Sequence, residues 1–435
     1  MTRSMIRNGA STARDARMQL IVFDPGHFHA SLLQKEMYPG LSRQVEVFAP
    51  LGPEVLDYLS RVAACNNRSE NPTAWELDIH LGPHPLADML RARRGDIVVF
   101  TGRNRGKIDR IRAALEAGLH VLADKPWIIA SGDLPKLERA LQLAERNHLA
   151  AYDIMTERYE VTSELQRVFV NDAEVFGRLE TGGAEDPGVS ARSVHHVMKV
   201  VAGAPLRRPA WFFDIGEYGE GLADVGTHVV DLAQWTAFPD TAIDYPKDIQ
   251  LIDGRRWPLT LTRDRYKQVT GESRGSDLDY YCNNSVHYTL RGVHVKLEIL
   301  WMWEAPEGSG DIYEATFRGG KARVEIRQGE SEKRVPELYI VPVADGLRDE
   351  VFAAARKRVA ALQTQWPGLA IVEGSTEARI AIPDKFRVGH EAHFAQVTRR
   401  FFEYVQAPQS LPGWETANML AKYHVSTRGT ELGRR

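Results

Sequence analysis

The chain has little cysteine: Cys65 and Cys282 are the only two in 435 residues. Neither a disulfide framework nor a CxxC zinc or redox motif can be built from them, and a reducing, cytoplasmic setting is expected. A charge excess is also missing, since 55 Lys+Arg against 58 Asp+Glu leave a net charge of −3. Without a long basic block to track phosphates, nucleic acid is not expected as a partner. No stretch approaches the roughly 18 consecutive apolar residues of a membrane-spanning helix, so no membrane association is expected. The opening residues 1–17, MTRSMIRNGASTARDAR, lack the apolar run of a secretory signal. They read as a flexible polar arm, one that also has the Arg-rich, acid-poor character of a transit peptide. Internal repeats and low-complexity tracts are missing as well. What is present, 43% apolar and 26% charged residues, is the composition of a globular protein, and the length is enough for two to three domains.

From Gln19 onward short β-branched runs alternate with helical patterns, the signature of βαβ units and a parallel sheet. Strands are expected at 19–24, 45–48, 77–81, 96–101, 120–124 and 149–154. Between the fourth and fifth, Ile108, Ile111 and Leu115 share one helical face, and Gly118 supplies the C-terminal stop. Asp133 reads as an N-cap ahead of Leu134, Leu137 and Leu141. Beyond about residue 172 the texture becomes antiparallel, with strands at 286–292 and 293–304 and a hairpin over 311–328 turning at Gly319-Gly320. In the 293–304 run, Val293, Val295, Leu297, Ile299, Trp301 and Trp303 lie on the packed face, while His294, Lys296, Glu298, Leu300 and Met302 lie on the other. Helical patterns return near the C-terminus. The expected fold is therefore α/β: a Rossmann-type parallel-sheet domain over 18–155, then an α+β domain over 156–435 with a mainly antiparallel open sheet and C-terminal helices.

Three places could carry chemistry. The first strand runs into DPGHFHA, where Asp24, Gly26 and His29 stand at the three glycine positions of a G-x-G-x-x-G phosphate-binding turn. Only the middle glycine is present, and the second strand ends in Ala49-Pro50 rather than in an acid for a ribose hydroxyl. The fifth strand ends in Asp124-Lys125-Pro126, which points a lysine from the carboxyl edge of the sheet, where such sheets bind ligands. EGLADVGTHVVDLAQW then places Asp224, His228 and Asp231 at i, i+4 and i+7, on one face of a helix. Asp224 and His228 could share a proton as a catalytic pair, form a structural hydrogen bond, or join His195-His196 on a metal. No third ligand stands at a recognisable spacing, so no metal site is expected.

The runs AALEAGLHVLADKP and GEGLADVGTHVVDLAQW resemble the two motifs of the Gfo/Idh/MocA family, the glucose-fructose oxidoreductase and inositol dehydrogenase group. The resemblance spans about residues 19–430, and DPGHFHA and YDIMTERYE are similar to a divergent branch of oxidoreductases. Asp124 stands where the family usually has Glu. The resemblance implies Lys125, Asp224 and His228 as catalytic residues. It implies Gly26, His27, Phe28, His29, Thr101, Gly102, Asn104, Asp124, Lys125 and Pro126 as cofactor-binding residues. Tyr159, Arg192, His195, His196, Lys199 and Trp211 would bind substrate; against that, a tryptophan such as Trp211 is more often core than platform, and a bridge between the domains is the alternative for Tyr159 and Arg158. The implied activity is hydride transfer between a sugar, sugar acid or glycoside hydroxyl and NAD, with NADP possible. His228 would take the proton, Lys125 would stabilise the developing oxyanion, and Lys125→Ala is expected to spare folding. The alternatives are a hydrolase or epimerase that retains its cofactor and oxidises only transiently, and a non-catalytic nucleotide- or sugar-binding protein. A homo-oligomer through the open sheet face is expected.

Overall fold

The computed structural model describes residues 17–201, 204–306 and 309–435; apart from Arg17, the expected N-terminal arm lies outside them. The βαβ pattern builds a six-stranded parallel sheet from β1 (Met18–Phe23), β2 (Leu41–Ala49), β3 (Glu76–Leu81), β4 (Ile97–Phe100), β5 (His120–Ala123) and β6 (Ala151–Asp153). Its order, β3-β2-β1-β4-β5-β6, reverses between β1 and β4. That reversal opens a crevice at the carboxyl ends of these two strands. The connecting helices are α1 (His29–Leu33), α2 (Pro53–Asn67), α3 (Pro85–Ala92), α4 (Lys107–Glu116) and α5 (Leu134–Arg146). In α4, Ile108, Ile111 and Leu115 are buried, and Gly118 follows at φ 81°. Asp133 does not cap α5 through its side chain, contrary to expectation; its carboxylate pairs with Lys136 at 3.0 Å instead.

After α6 (Val161–Val170) a nine-stranded sheet forms from β7 (Val189–Met198), β10 (Ile249–Leu261), β11 (Leu278–Leu290), β12 (Val293–Glu304), β13 (Ile312–Arg318), β14 (Ala322–Arg327), β15 (Glu337–Pro342), β16 (Ala370–Glu373) and β17 (Ala378–Ala381). Two-residue strands β8 (Val200–Val201) and β9 (Ala204–Pro205) pair separately. The order is β10-β11-β12-β7-β13-β14-β15-β17-β16, antiparallel except for the β12–β7 pair. One face packs on α6, α7 (Gly226–Ala237) and α12 (Gly413–Leu432), and Val293, Val295, Leu297, Ile299 and Trp301 point into that core. The other face carries Arg192, Lys296 and Glu298 and remains open, with Met302 exposed. Short α8 (Tyr245–Asp248), α9 (Arg263–Thr270) and α10 (Arg348–Ala361) complete the periphery.

The C-terminal helices return to the parallel sheet. Phe394, Val397, Phe401 and Val405 of α11 (His390–Gln406) join Leu20, Val22 and Val45 in one core. Met419 and Tyr423 of α12 join Ile21, Phe100 and Trp127 in the core on the opposite side. Tyr423 Oη accepts from the Trp127 amide and donates to Asp153, both at 2.9 Å. The two sheets are thereby locked around a shared cleft. Among the described residues, no helix is long and apolar enough to cross a membrane.

Candidate active site

A cavity of about 550 Å³ lies between the carboxyl edge of the parallel sheet and the covered side of β7 and β12. Lys125, the second residue after β5, enters it from one side, and His228, in the first turn of α7, enters from another. The Lys125–Pro126 peptide is cis. Lys125 Nζ donates to Asp224 Oδ1, which also accepts from Tyr218 Oη at 3.0 Å. Burial pushes the Asp224 carboxyl upward, but the adjacent Lys125 ammonium outweighs it and holds the pKa below its ordinary value. The expected sharing of a proton between Asp224 and His228 is not what forms. Helix α7 begins at Gly226, so Asp224 sits in the preceding turn and turns to the lysine. Asp231 faces away and binds Arg158 at 2.6 and 2.7 Å. His228 Nδ1 is buried without a hydrogen-bond partner. Burial, reinforced by Lys125, lowers the His228 pKa to about 3, with Glu157 opposing, so the imidazole is neutral near pH 7.

The cofactor turn is compact. Asp24 occupies the first fingerprint position at φ 43°, in the left-handed region where glycine is at ease and Asp is tolerated. Burial raises its carboxyl pKa, against Arg103 and Arg110. A Cβ on Gly102 would lie 2.4 Å from the Asp24 carbonyl oxygen, so that glycine is required for β1 and β4 to approach closely. A Cβ on Gly26 would lie 3.0 Å from Trp211 Cζ2; the indole roofs this turn and donates from Nε1 to Glu54 at 3.0 Å. Trp211 does not line the substrate cavity where it was expected; it packs over the Gly26 turn and joins the buried core, the alternative place for it. The residues present fit a nicotinamide nucleotide. Thr101 Oγ1 is buried without a partner at the end of β4. Beyond it a depression at the ends of the first strands is lined by Phe23, Asp24, Pro50, Pro83, His84 and Arg110. The acid missing at Ala49-Pro50 has a counterpart in Glu54, within the first turn of α2 and paired with Arg103 at 3.4 Å. Asn104 is engaged elsewhere, its Nδ2 donating to the Tyr218 carbonyl at 2.7 Å, which ties the crevice to the second sheet's loops.

His27, Phe28 and His29 line the cavity beside Lys125. Asp124 lies behind them, accepting from Lys107 Nζ at 2.6 Å. Its burial raises the carboxyl pKa, but Lys107 and the two imidazoles prevail and hold it well below the ordinary value. Across the cavity, His195 Nδ1 and Lys199 Nζ lie 3.0 and 2.8 Å from Asp311 Oδ2, and Ser193 Oγ lies 2.6 Å from His195 Nε2. Burial raises the Asp311 pKa, yet His195 and Lys199 hold it well below its ordinary value. Trp301 presents its ring beside His195 with Nε1 buried and unpaired.

Several expected substrate residues fall elsewhere. Arg192 projects from the open sheet face toward Glu298 and Glu314, because it alternates with the inward residues of β7. His196 is buried behind Asp311, 3.3 Å from Oδ1, rather than lining the cavity. Tyr159 packs against the core shared with α11. Arg158 bridges Asp231 and Glu415. The same segment contributes Glu157, which sequence reasoning passed over. Its carboxylate faces His390 and His228, and although burial raises its pKa, the hydrogen bond with His390 foremost holds it below the ordinary value. Asp311 was also missed, being one of many loop acids until the fold sets it against β7.

The family described as "Putative oxidoreductase C terminal domain" matches residues 165–434. A crystal structure of "a putative oxidoreductase from Parabacteroides merdae ATCC 43184" is 40% identical, covers 96% of this chain and 98% of its own, and superposes with a TM-score of 0.93. Levoglucosan dehydrogenase in complex with NADH and levoglucosan is 12% identical, with 96% and 97% coverage and a TM-score of 0.62. KijD10, a 3-ketoreductase from Actinomadura kijaniata in complex with TDP-benzene and NADP, is 15% identical, with 95% and 97% coverage and a TM-score of 0.56. No curated protein sequence matches the chain. The matched C-terminal domain and the near-complete likeness to the Parabacteroides merdae protein show that this chain belongs to the oxidoreductases of the Gfo/Idh/MocA type.

Proposed function

We propose that the protein oxidises a hydroxyl of a sugar, sugar acid or glycoside with NAD(P). The observation that carries this reading is the convergence of the Lys125 ammonium and the unpartnered, neutral His228 imidazole on one cavity next to the nucleotide crevice. Nicotinamide nucleotide, when bound, supplies the hydride acceptor. The chain's own residues manage the proton and the charge. Asp224 and Tyr218 fix the Lys125 ammonium where it can stabilise an oxygen gaining negative charge. His228 offers a nitrogen lone pair to the hydroxyl proton, and the Glu157 carboxylate favours the imidazolium that results. Ser193, His195, Lys199 and Asp311 offer donors and acceptors suited to a polyol, with Trp301 as an apolar platform.

The NADH-bound levoglucosan dehydrogenase and the NADP-bound ketoreductase support the same chemistry by likeness of fold. The open face of the large sheet is where we place a second copy of the chain. The test is turnover of sugars and glycosides under excess NAD or NADP, following absorbance of the reduced nucleotide beside product chromatography. Reduced nucleotide accumulating in step with oxidised sugar is expected; cleaved or epimerised product without it would overturn net oxidation.

A further inference from the structure

His27 and His29 each turn Nδ1 toward the same oxygen, Asp124 Oδ2, and each lies 3.3 Å from it. This is longer than the roughly 2.7–2.9 Å of a charge-assisted hydrogen bond. It matches the edge of a tetrahedron whose centre stands about 2.0–2.1 Å from each ligand, an edge of about 3.3–3.4 Å. The three side chains are buried to 11, 7 and 5% residual exposure; His29 Nδ1 is in hydrogen-bond contact with Asp124 Oδ2, whereas His27 Nδ1 has no hydrogen-bond partner. All three ligand atoms lie within 4.8 Å of one another. We infer that His27 Nδ1, His29 Nδ1 and Asp124 Oδ2 form a binding site for a first-row divalent cation of the zinc type, with its remaining coordination directed to the cavity.

The local sequence produces this arrangement. In GHFHA the two histidines flank Phe28 at the entry to α1, and the end of β5 brings Asp124 up from the neighbouring part of the sheet. Lys107 Nζ holds the other carboxylate oxygen, Oδ1, at 2.6 Å and also donates to the Asp124 carbonyl at 3.1 Å, so Oδ2 is left facing the imidazoles. A partner that fixes the orientation of a ligating carboxylate is a usual support of a metal site. Two imidazoles and one carboxylate suit zinc, iron, cobalt or nickel better than magnesium or calcium. With Asp124 already balanced by Lys107, the cation's charge favours hydroxide or another anionic oxygen at the open positions. The inference is independent of the proposed dehydrogenase activity, because it concerns what these three side chains hold. It also departs from the sequence expectation of no metal, which considered His228, Asp224, His195 and His196; among the described residues those four form no such group.

The experiment loads chelator-stripped full-length protein with Co²⁺ or Zn²⁺ alone. Metal content after gel filtration and the visible d–d spectrum of the cobalt form are measured for wild type, His29→Asn, His27→Asn and His80→Asn. His80 belongs to a surface group with Glu46 and Asp78 and serves as the control. About one retained equivalent and the intense bands of a four- or five-coordinate cobalt site are expected in wild type and His80→Asn. At least a tenfold loss of affinity is expected in both other variants, the minimum seen even for supporting residues of metal sites. Wild type that retains no metal, or gives only the weak spectrum of hydrated cobalt, overturns the site whatever the variants do. So does retention in a folded His27→Asn or His29→Asn, or loss confined to His80→Asn. Should the histidine variants not fold, the wild-type cobalt spectrum decides alone.

Discussion

Lys125→Met tests the centre of the proposed site through two separable quantities. The lysine and Asp224 are 7 and 3% exposed and directly paired. Removing the cation leaves a buried carboxylate whose remaining side-chain hydrogen bond is from Tyr218. Breaking a buried ion pair from one side costs about 3–5 kcal/mol, so the sequence expectation that loss of Lys125 spares folding is replaced by marked destabilisation. The catalytic loss is distinct. Removal of a positioned charge that stabilises the transition state lowers kcat/KM by about a hundredfold or more, near 2.7 kcal/mol. The double variant Lys125→Met/Asp224→Asn separates the two, because it removes the stranded charge but does not restore the ammonium. Denaturant unfolding should show the single variant weakened and the double largely recovered, while both remain about a hundredfold slow in the nucleotide-absorbance assay. Wild-type stability in the single variant would refute the burial argument, and wild-type turnover in the double would refute the role of Lys125.

His228→Asn should lower kcat/KM by about a hundredfold or more while leaving nucleotide affinity, measured by titration, within about twofold. In the native state this imidazole stays neutral down to about pH 3, whereas unfolded histidine protonates near pH 6.5. Wild-type stability from this residue is therefore present above pH 6.5 and is lost as pH falls toward 3; the asparagine variant should show a shallower acid decline in melting temperature. Glu160 has the opposite sign. Burial and the neighbouring Glu157 raise its pKa to about 7, so the native protein keeps a proton that the unfolded chain releases near pH 4.3, and stability falls as pH rises between the two. Glu160→Gln should raise the melting temperature at about pH 8 and leave it little changed near pH 4; an equal gain at both would reject the assignment. Glu54→Gln removes the acid beside Arg103 and should shift calorimetric preference toward NADP by about tenfold, as expected when a carboxylate no longer opposes a 2′-phosphate. An unchanged ratio would place the ribose away from Glu54.

The parallel sheet was legible in the sequence because its central strands are short and buried on both faces and its strands alternate with amphipathic helices; QLIVFD, DIVVFT and HVLAD fall on β1, β4 and β5. β12 was equally legible, since one face is apolar throughout and the other largely polar. β7 was not. In VSARSVHHVM the inward side carries Ser193 and His195 as well as valines, because that side is partly core and partly cavity wall, which breaks the alternation. Lys125 and His228 could be singled out because local motifs carry them, and the closeness of His27 and His29 is likewise written into GHFHA. Their partners are not local. The helical period grouped Asp224 with His228 and Asp231, but the helix starts only at Gly226, and the second sheet swings Asp224 onto Lys125, 99 residues away. Glu54 in the first turn of α2 and Asp311 just before β13 are brought to the site by the order of the strands in the two sheets, which no spacing encodes. The sequence by itself determined the parallel-sheet strands, the strands from β11 to β14, the clearest helices and which residues could carry charge or a proton. Only the tertiary structure decided which of those charges are buried together, and pairing under burial is what sets their protonation and their chemistry.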